Sequence, residues 1–227
     1  MDNKAYRLIN MVLLHEGGYA NIAGDNGGET YRGISRKNFP TWEGWKVVDD
    51  KKPLKTNEII TDETLEELVR AFYYDNFYIR LKIHKFTSML ISGHLLCHGV
   101  NAGCKTSAKL LQKAINTITK ANISVDGVIG DITITHANNE NNSEAIAQEF
   151  INNRIAYYNS LASKNTTQEK FLKGWLRRVD KTTNYCGASN QSVLLFQKKE
   201  SANAPNKGSI LSFILKLLKS IILLRKR

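Results

Sequence analysis

The sequence predicts a mainly α protein, and three observations support this. Apolar residues recur at helical spacing over long stretches, only three of the 227 residues are proline, and hydrophobic residues make up 42% of the chain, enough to bury a core. This length allows one large domain, or two small lobes followed by a tail.

Ala5, Leu8, Ile9, Val12 and Leu13 fall at i, i+3, i+4, i+7 and i+8, which predicts an amphipathic helix over 3–15, capped by Asp2 or Asn3 and stopped by Gly17 and Gly18. Residues 17–50 are rich in Gly, Asn and Asp with short apolar runs, the pattern of loops around a small β-hairpin. Thr61 opens a second helix. It carries Asp62, Glu63, Glu66 and Glu67 near its positive end and Leu65, Leu68, Val69 and Phe72 on one face, and is expected to reach Arg80. Further helices are predicted over 87–99, 106–118, 143–161 with Ser143 as cap, and 167–179 with Thr166 or Thr167 as cap. Val125-Asp-Gly-Val-Ile-Gly130 between them is a tight turn, in which Asp126 fixes the bend beside Gly127.

Residues 198–208 are polar and contain a proline and a glycine, as a linker does. Behind them, eleven of the sixteen residues from Ser209 to Leu224 are apolar, with Lys216 and Lys219 segregated to one helical sector. A 16-residue helix is about 24 Å long, shorter than a hydrocarbon core of about 30 Å, so the segment fits an in-plane interfacial helix better than a span.

The formal charge is +11, and residues 198–227 hold eight basic residues against Glu200 alone. Such a balance suits a polyanion. No nucleic-acid motif is present and no base-stacking aromatics interleave with the terminal basic residues, so the expected anion is not nucleic acid. Cys97, Cys104 and Cys186 are an odd number without metal-ligand spacing, which suits a reduced cytosolic chain. His94 and His98 are four apart on a predicted helix but have no Glu between them, and they are assigned to core or surface, not to a metal. Trp175, between Leu172 and Val179, reads as core.

Glu16 stands where a helix meets a double glycine, so its carboxyl is free to project into a cleft, as a general acid must. Asp25 follows after nine residues and Thr30 after five more, inside a Gly- and Asn-rich segment. Cleavage of a glycosidic bond needs one carboxylic acid to protonate the leaving oxygen, and commonly a second group to hold water or stabilise positive charge. On spacing alone, such acids also fit solvated, turn-forming loop residues.

The stretch His15-Glu-Gly-Gly-Tyr19, followed by Asp25-Asn-Gly-Gly-Glu-Thr30-Tyr-Arg-Gly33-Ile-Ser35, closely resembles the opening of glycoside hydrolase family 108, whose members are N-acetylmuramidases with the catalytic Glu in the Glu-Gly-Gly-Tyr motif. Its offsets are also similar to those of phage lysozymes. Tyr73-Tyr-Asp-Asn-Phe-Tyr78 resembles that family's aromatic helix and Val100-Asn-Ala-Gly103 its Val-Asn-x-Gly turn, while Val125–Gly130 and Gly174-Trp-Leu-Arg-Arg-Val-Asp180 resemble the companion peptidoglycan-binding domain. Two positions depart from the pattern: Asn26 replaces a frequent proline, and Arg32 a usual aromatic.

The resemblance implies a lysozyme-like catalytic lobe over 1–95 and a helical peptidoglycan-binding lobe over 96–182, and the composition of the remainder adds a linker over 183–208 and a basic amphipathic tail over 209–227. It implies hydrolysis of the β-1,4 bond between N-acetylmuramic acid and N-acetylglucosamine, with Glu16 as general acid and Asp25 and Thr30 orienting water. Tyr19, Tyr31, Trp42 and Asn101 become candidates for substrate contact. No cofactor and no metal are expected. The partners expected are peptidoglycan and, through the tail, an anionic membrane, with the protein a monomer. Residues 1–14 lack a secretory pattern, so synthesis in the cytoplasm without a signal peptide and action at the cell wall are expected together. Rival readings are a lytic transglycosylase, a muramidase serving a secretion machine, and a membrane-active protein whose front half only binds wall.

Overall fold

The computed structural model of the protein describes residues 1–21 and 28–187; Asp25, residues 188–208 and the tail at 209–227 lie outside them. Residues 1–187 belong to one compact unit. Among the described residues the helices are α1 (Asn3–Leu13), α2 (Gly44–Asp50), α3 (Glu63–Tyr73), α4 (Met89–Ala102), α5 (Cys104–Thr119), α6 (Asp131–Ala137), α7 (Ser143–Lys164) and α8 (Thr166–Gly187). Three two-residue strands, β1 (Tyr19–Ala20), β2 (Thr30–Tyr31) and β3 (Ile34–Ser35), form an antiparallel sheet in the order β1-β2-β3. The expected mainly α architecture is therefore observed, with one strand more than a hairpin.

Helix α1 is capped by Asp2, whose carboxylate accepts the Ala5 N–H at 2.7 Å, and buries Ala5, Leu8, Ile9, Val12 and Leu13, the stripe its spacing predicts. Helix α3 is capped by Asp62, which accepts from the Leu65 N–H at 2.9 Å, so the cap stands one residue beyond Thr61. The α-helix ends at Tyr73, and a π-helical turn (Tyr74–Ile79) covers the rest of the span expected to be helical. In this stretch Tyr73 stacks on Phe77 and Tyr74 on Tyr78, so the aromatic run packs on itself as well as on the core.

Helix α4 is the centre of the molecule. Every residue from Ile91 to Gly99 is buried, and α1, α5, α7 and α8 surround it, as a helix apolar on all sides requires. It runs unbroken through 95/96, where the lobes were expected to part, and one apolar core continues from Ala5 in α1 to Phe150 in α7. At Gly93 a Cβ would collide with the Cys186 sulfur, so the missing side chain is what lets α8 lie close against α4.

Helix α8 extends past the expected end at 179 to Gly187, taking in the first residues assigned to the linker. Its inward stripe continues through the buried Thr182 and the half-buried Thr183 and Cys186, and the two hydroxyls return to the carbonyls of Arg178 and Val179. Small polar residues in that stripe hide the helix from an apolar count. Helix α6 escaped for a different reason, because Ile132, Thr133, Ile134 and Thr135 form a β-branched run that favours a strand. Ser143 begins α7 but the cap position is Asn142.

His94 and His98 are both buried: Arg154 hydrogen-bonds the His94 ring, and His98 Nδ1 lies 3.0 Å from the Tyr158 hydroxyl. Asp126 accepts from Val128 N–H and from the Gln112 amide, each at 2.8 Å, which fixes the turn as expected. Trp175 is partly buried and stacks on Tyr158 with ring centroids 5.2 Å apart.

Candidate active site

The chain leaves α1 through Leu14, and the N–H groups of His15 and Glu16 still bond back to the carbonyls of Val12 and Leu13, so Glu16 sits on the last frayed turn of a helix anchored in the core. Gly18 then passes so near the backbone of Asn57 and Glu58 that no Cβ fits, and Tyr19 exchanges backbone bonds with Glu58 (2.8 Å) and Asn57 (2.7 Å). The double glycine serves this close approach, which fixes where the carboxyl emerges.

Three groups converge on that carboxyl. Arg178 of α8 donates from Nη1 to Glu16 Oε1 at 2.7 Å and reaches the His15 carbonyl from Nη2 at 3.4 Å. Gly33, at φ +77°, lies so close that a Cβ there would stand 2.6 Å from Glu16 Oε2 and 2.7 Å from the Tyr73 hydroxyl. Tyr73 in turn donates to the Arg32 carbonyl at 2.7 Å, which holds the β2–β3 turn against α3. The side chains of Glu16 and Arg178 are 16% and 18% exposed, so the pair is largely withdrawn from water yet open on one side. Burial, then the charge of Glu16, pushes the Tyr73 phenol well up, so it is a neutral donor at any ordinary pH. Burial, then Arg178, Lys181 and Arg154, pulls His15 down to about 4.

The other predicted site residues divide. Thr30 is half-buried in the middle strand opposite Ala20 and Ser35, while Asp25 lies outside the described residues. Tyr31, expected to contact sugar, is a core residue: it is fully buried, and its hydroxyl accepts the Ile60 N–H at 3.1 Å, leaving no ring face for a ligand. Tyr19 is likewise buried, its hydroxyl given to Glu29 at 3.0 Å. Trp42 is half-buried edge-on to Trp45 and Phe72, and its Nε1 donates to the Leu68 carbonyl at 3.4 Å, so packing occupies most of its surface. Asn101 is exposed and accepts from the Tyr158 hydroxyl at 2.7 Å. Glu29 is tied to Arg36 and Lys52, each at 2.6 Å, and so braces the sheet.

Arg178, Gly33 and Tyr73 had no assigned role in the sequence reading. All three lie in stretches that resemble the family, but no spacing rule pairs a residue with another 162 positions away.

The residues of this site fall in two segments with known relatives. Residues 9–103 match the family model described as Glycosyl hydrolase 108, and residues 106–180 match one described as "Predicted Peptidoglycan domain". The boundary falls at Gly103, where α4 gives way to α5, so Glu16 and Arg178 come from different segments. A comparison with curated proteins found no match. Among solved structures, Brucella abortus SagA is similar over 82% of this chain and 95% of that one, with a TM-score of 0.55 and 21% sequence identity, a likeness of fold. The chain thus joins a glycosyl hydrolase 108 domain at 9–103 to a peptidoglycan-binding domain at 106–180, the pair of domains of a peptidoglycan hydrolase.

Proposed function

We propose that the protein is an N-acetylmuramidase that hydrolyses the β-1,4 bond between N-acetylmuramic acid and N-acetylglucosamine, with Glu16 as general acid. The observation that supports this most is the setting of the Glu16 carboxyl: fixed at the end of α1, 16% exposed, and with one oxygen already held by Arg178. Oε1 is engaged, so the proton that goes to the leaving glycosidic oxygen belongs on Oε2, beside the bare backbone of Gly33. Once the proton has left, Arg178 stabilises the carboxylate that remains. Thr30 and Asp25 orient the attacking water, and the likeness of the motif to phage lysozymes leads to inversion, which asks for carboxyls about 6.5–9.5 Å apart.

The same reading places the protein's action at the cell wall after synthesis in the cytoplasm, as a monomer, with residues 209–227 resting on an anionic membrane beside the substrate. The test is the product. Purified peptidoglycan digested by the protein and reduced with borohydride should yield new muramitol ends. New glucosaminitol ends would contradict the bond assignment, and 1,6-anhydro ends would replace hydrolysis by transglycosylation.

A further inference from the structure

Next to Glu16, a cavity of about 210 Å³ is lined by Leu14, His15, Gly174, Arg177, Arg178 and Lys181. This volume is too small for a disaccharide, since sites for whole small ligands run to about 300–1,000 Å³, but it accommodates a side group of a larger substrate. Its wall is cationic along one face of α8, where positions 174, 177, 178 and 181 recur at i, i+3, i+4 and i+7. Arg178, which lines the cavity, also holds the Glu16 carboxylate at 2.7 Å.

We infer that this cavity is a subsite for a carboxylate of the substrate, supplied by the peptide stem on the muramyl residue, with Arg177 and Lys181 as its exposed cations and Arg178 shared with Glu16. The inference rests on the muramidase reading, because that reaction brings a muramyl residue to Glu16.

Several observations support it. Burial first, and then the charges of Arg178, Lys181 and Arg154, hold His15 neutral, so the lining cations carry the charge of the cavity. The His15 Nε2 is buried and has no hydrogen-bond partner among the described residues. Gly174 widens the space: a Cβ built there meets nothing within 4 Å. A glycine in the middle of a helix costs about 1 kcal/mol relative to alanine, so helix stability alone does not favour it at this position. Carboxylate is the anion that a muramyl substrate carries on every stem, and guanidinium with ammonium at the mouth suits it.

The test uses the full chain and reads binding by calorimetry. The probe is the N-acetylglucosaminyl-N-acetylmuramyl tetrapeptide, which lacks the scissile bond, alongside the same compound with its carboxylates converted to amides. The wild-type protein should bind the amidated compound at least about tenfold more weakly, the scale of losing one charge-assisted contact. In the Arg177→Gln/Lys181→Gln double variant, that ratio should fall to within about twofold. Gly174→Leu, which fills the space without removing a charge and favours the helix, should abolish the preference in the same way.

Equal binding of the two compounds by the wild type, or a preference that survives both variants, would overturn the subsite. A glycerol-phosphate oligomer that binds more tightly than the muropeptide would assign the cavity to phosphate instead. Carboxylate-dependent binding without new muramitol ends from peptidoglycan would sink the muramidase reading and keep the subsite, and the reverse result would do the opposite.

Discussion

Arg178 and Glu16 form a 2.7 Å ion pair that joins the last turn of α8 before its small-residue stripe to the end of α1, and so places a cation from the peptidoglycan-binding segment on the carboxyl of the hydrolase segment. Each partner is mostly withdrawn from water, which makes the pair stronger than a surface bridge and more costly to break from one side. Arg178→Gln should therefore lower stability by about 1–3 kcal/mol and lower kcat more than it raises KM. Arg178→Lys should recover part of the stability but not the second contact to the His15 carbonyl. Steady-state kinetics and thermal melts check both; a change in KM alone would leave Arg178 a role in substrate binding only and remove its role in positioning Glu16.

Gly33 carries the backbone past the acid. Its φ of +77° already disfavours any side chain, and a Cβ would crowd both Glu16 Oε2 and the Tyr73 hydroxyl. Gly33→Ala should cost at least about 1 kcal/mol and reduce turnover by more than tenfold, because the carboxyl must move. Gly28, also at positive φ but with open space around it, is the control: Gly28→Ala should strain the backbone and leave the carboxyl in place. Equal losses of turnover in the two variants would remove the special role of Gly33.

Stability should fall with acid, and histidine explains the window. Burial holds His15 at about 4, with Arg178, Lys181 and Arg154 adding to it; burial and then Arg154 hold His98 at about 2, and burial, Arg154 and His98 hold His94 well below its ordinary 6.5. Each folded value is depressed, so the unfolded chain takes up protons near 6.5 while the folded chain does not. The stability these groups contribute is whole above pH 6.5, declines from there to about 4 for His15, and continues to decline toward about 2 for His98. Urea denaturation at a series of pH values should show proton uptake on unfolding near pH 5, and His98→Gln should reduce it by about one proton. A stability that is flat between pH 7 and 4 would contradict the buried, neutral state of these rings.

The sequence of residues 209–227 separates Lys216 and Lys219 from a broad apolar face and ends in Arg-Lys-Arg. A chain ending at Lys199 should digest isolated peptidoglycan as fast as the full chain but lose binding to anionic vesicles, with about 1 kcal/mol lost per basic residue near the headgroups. Slower digestion of isolated wall by the shortened chain would show that the tail serves the catalytic unit.

What could be read from the sequence followed the strength of local signals. The stripe of α1, the Glu-Gly-Gly-Tyr turn and the acidic start of α3 are local patterns, and each appears where its spacing placed it. Tyr31 stands beside a polar turn, where an aromatic looks available to a ligand, but strand alternation sends it into the core to meet Ile60. The pairing of Arg178 with Glu16 depends on α8 folding back over α4, through a glycine contact at Gly93 that no periodicity announces.

The central claim is that Glu16 donates the proton, and turnover of Glu16→Gln on purified peptidoglycan, read as new reducing ends, tests it most directly. The amide has nearly the same shape and still accepts from Arg178, but it has no proton of suitable acidity to give. The account predicts a folded protein that binds wall and turns over about 10²–10⁴-fold more slowly than the wild type. A variant within tenfold of the wild type would contradict it and send the search for the acid elsewhere.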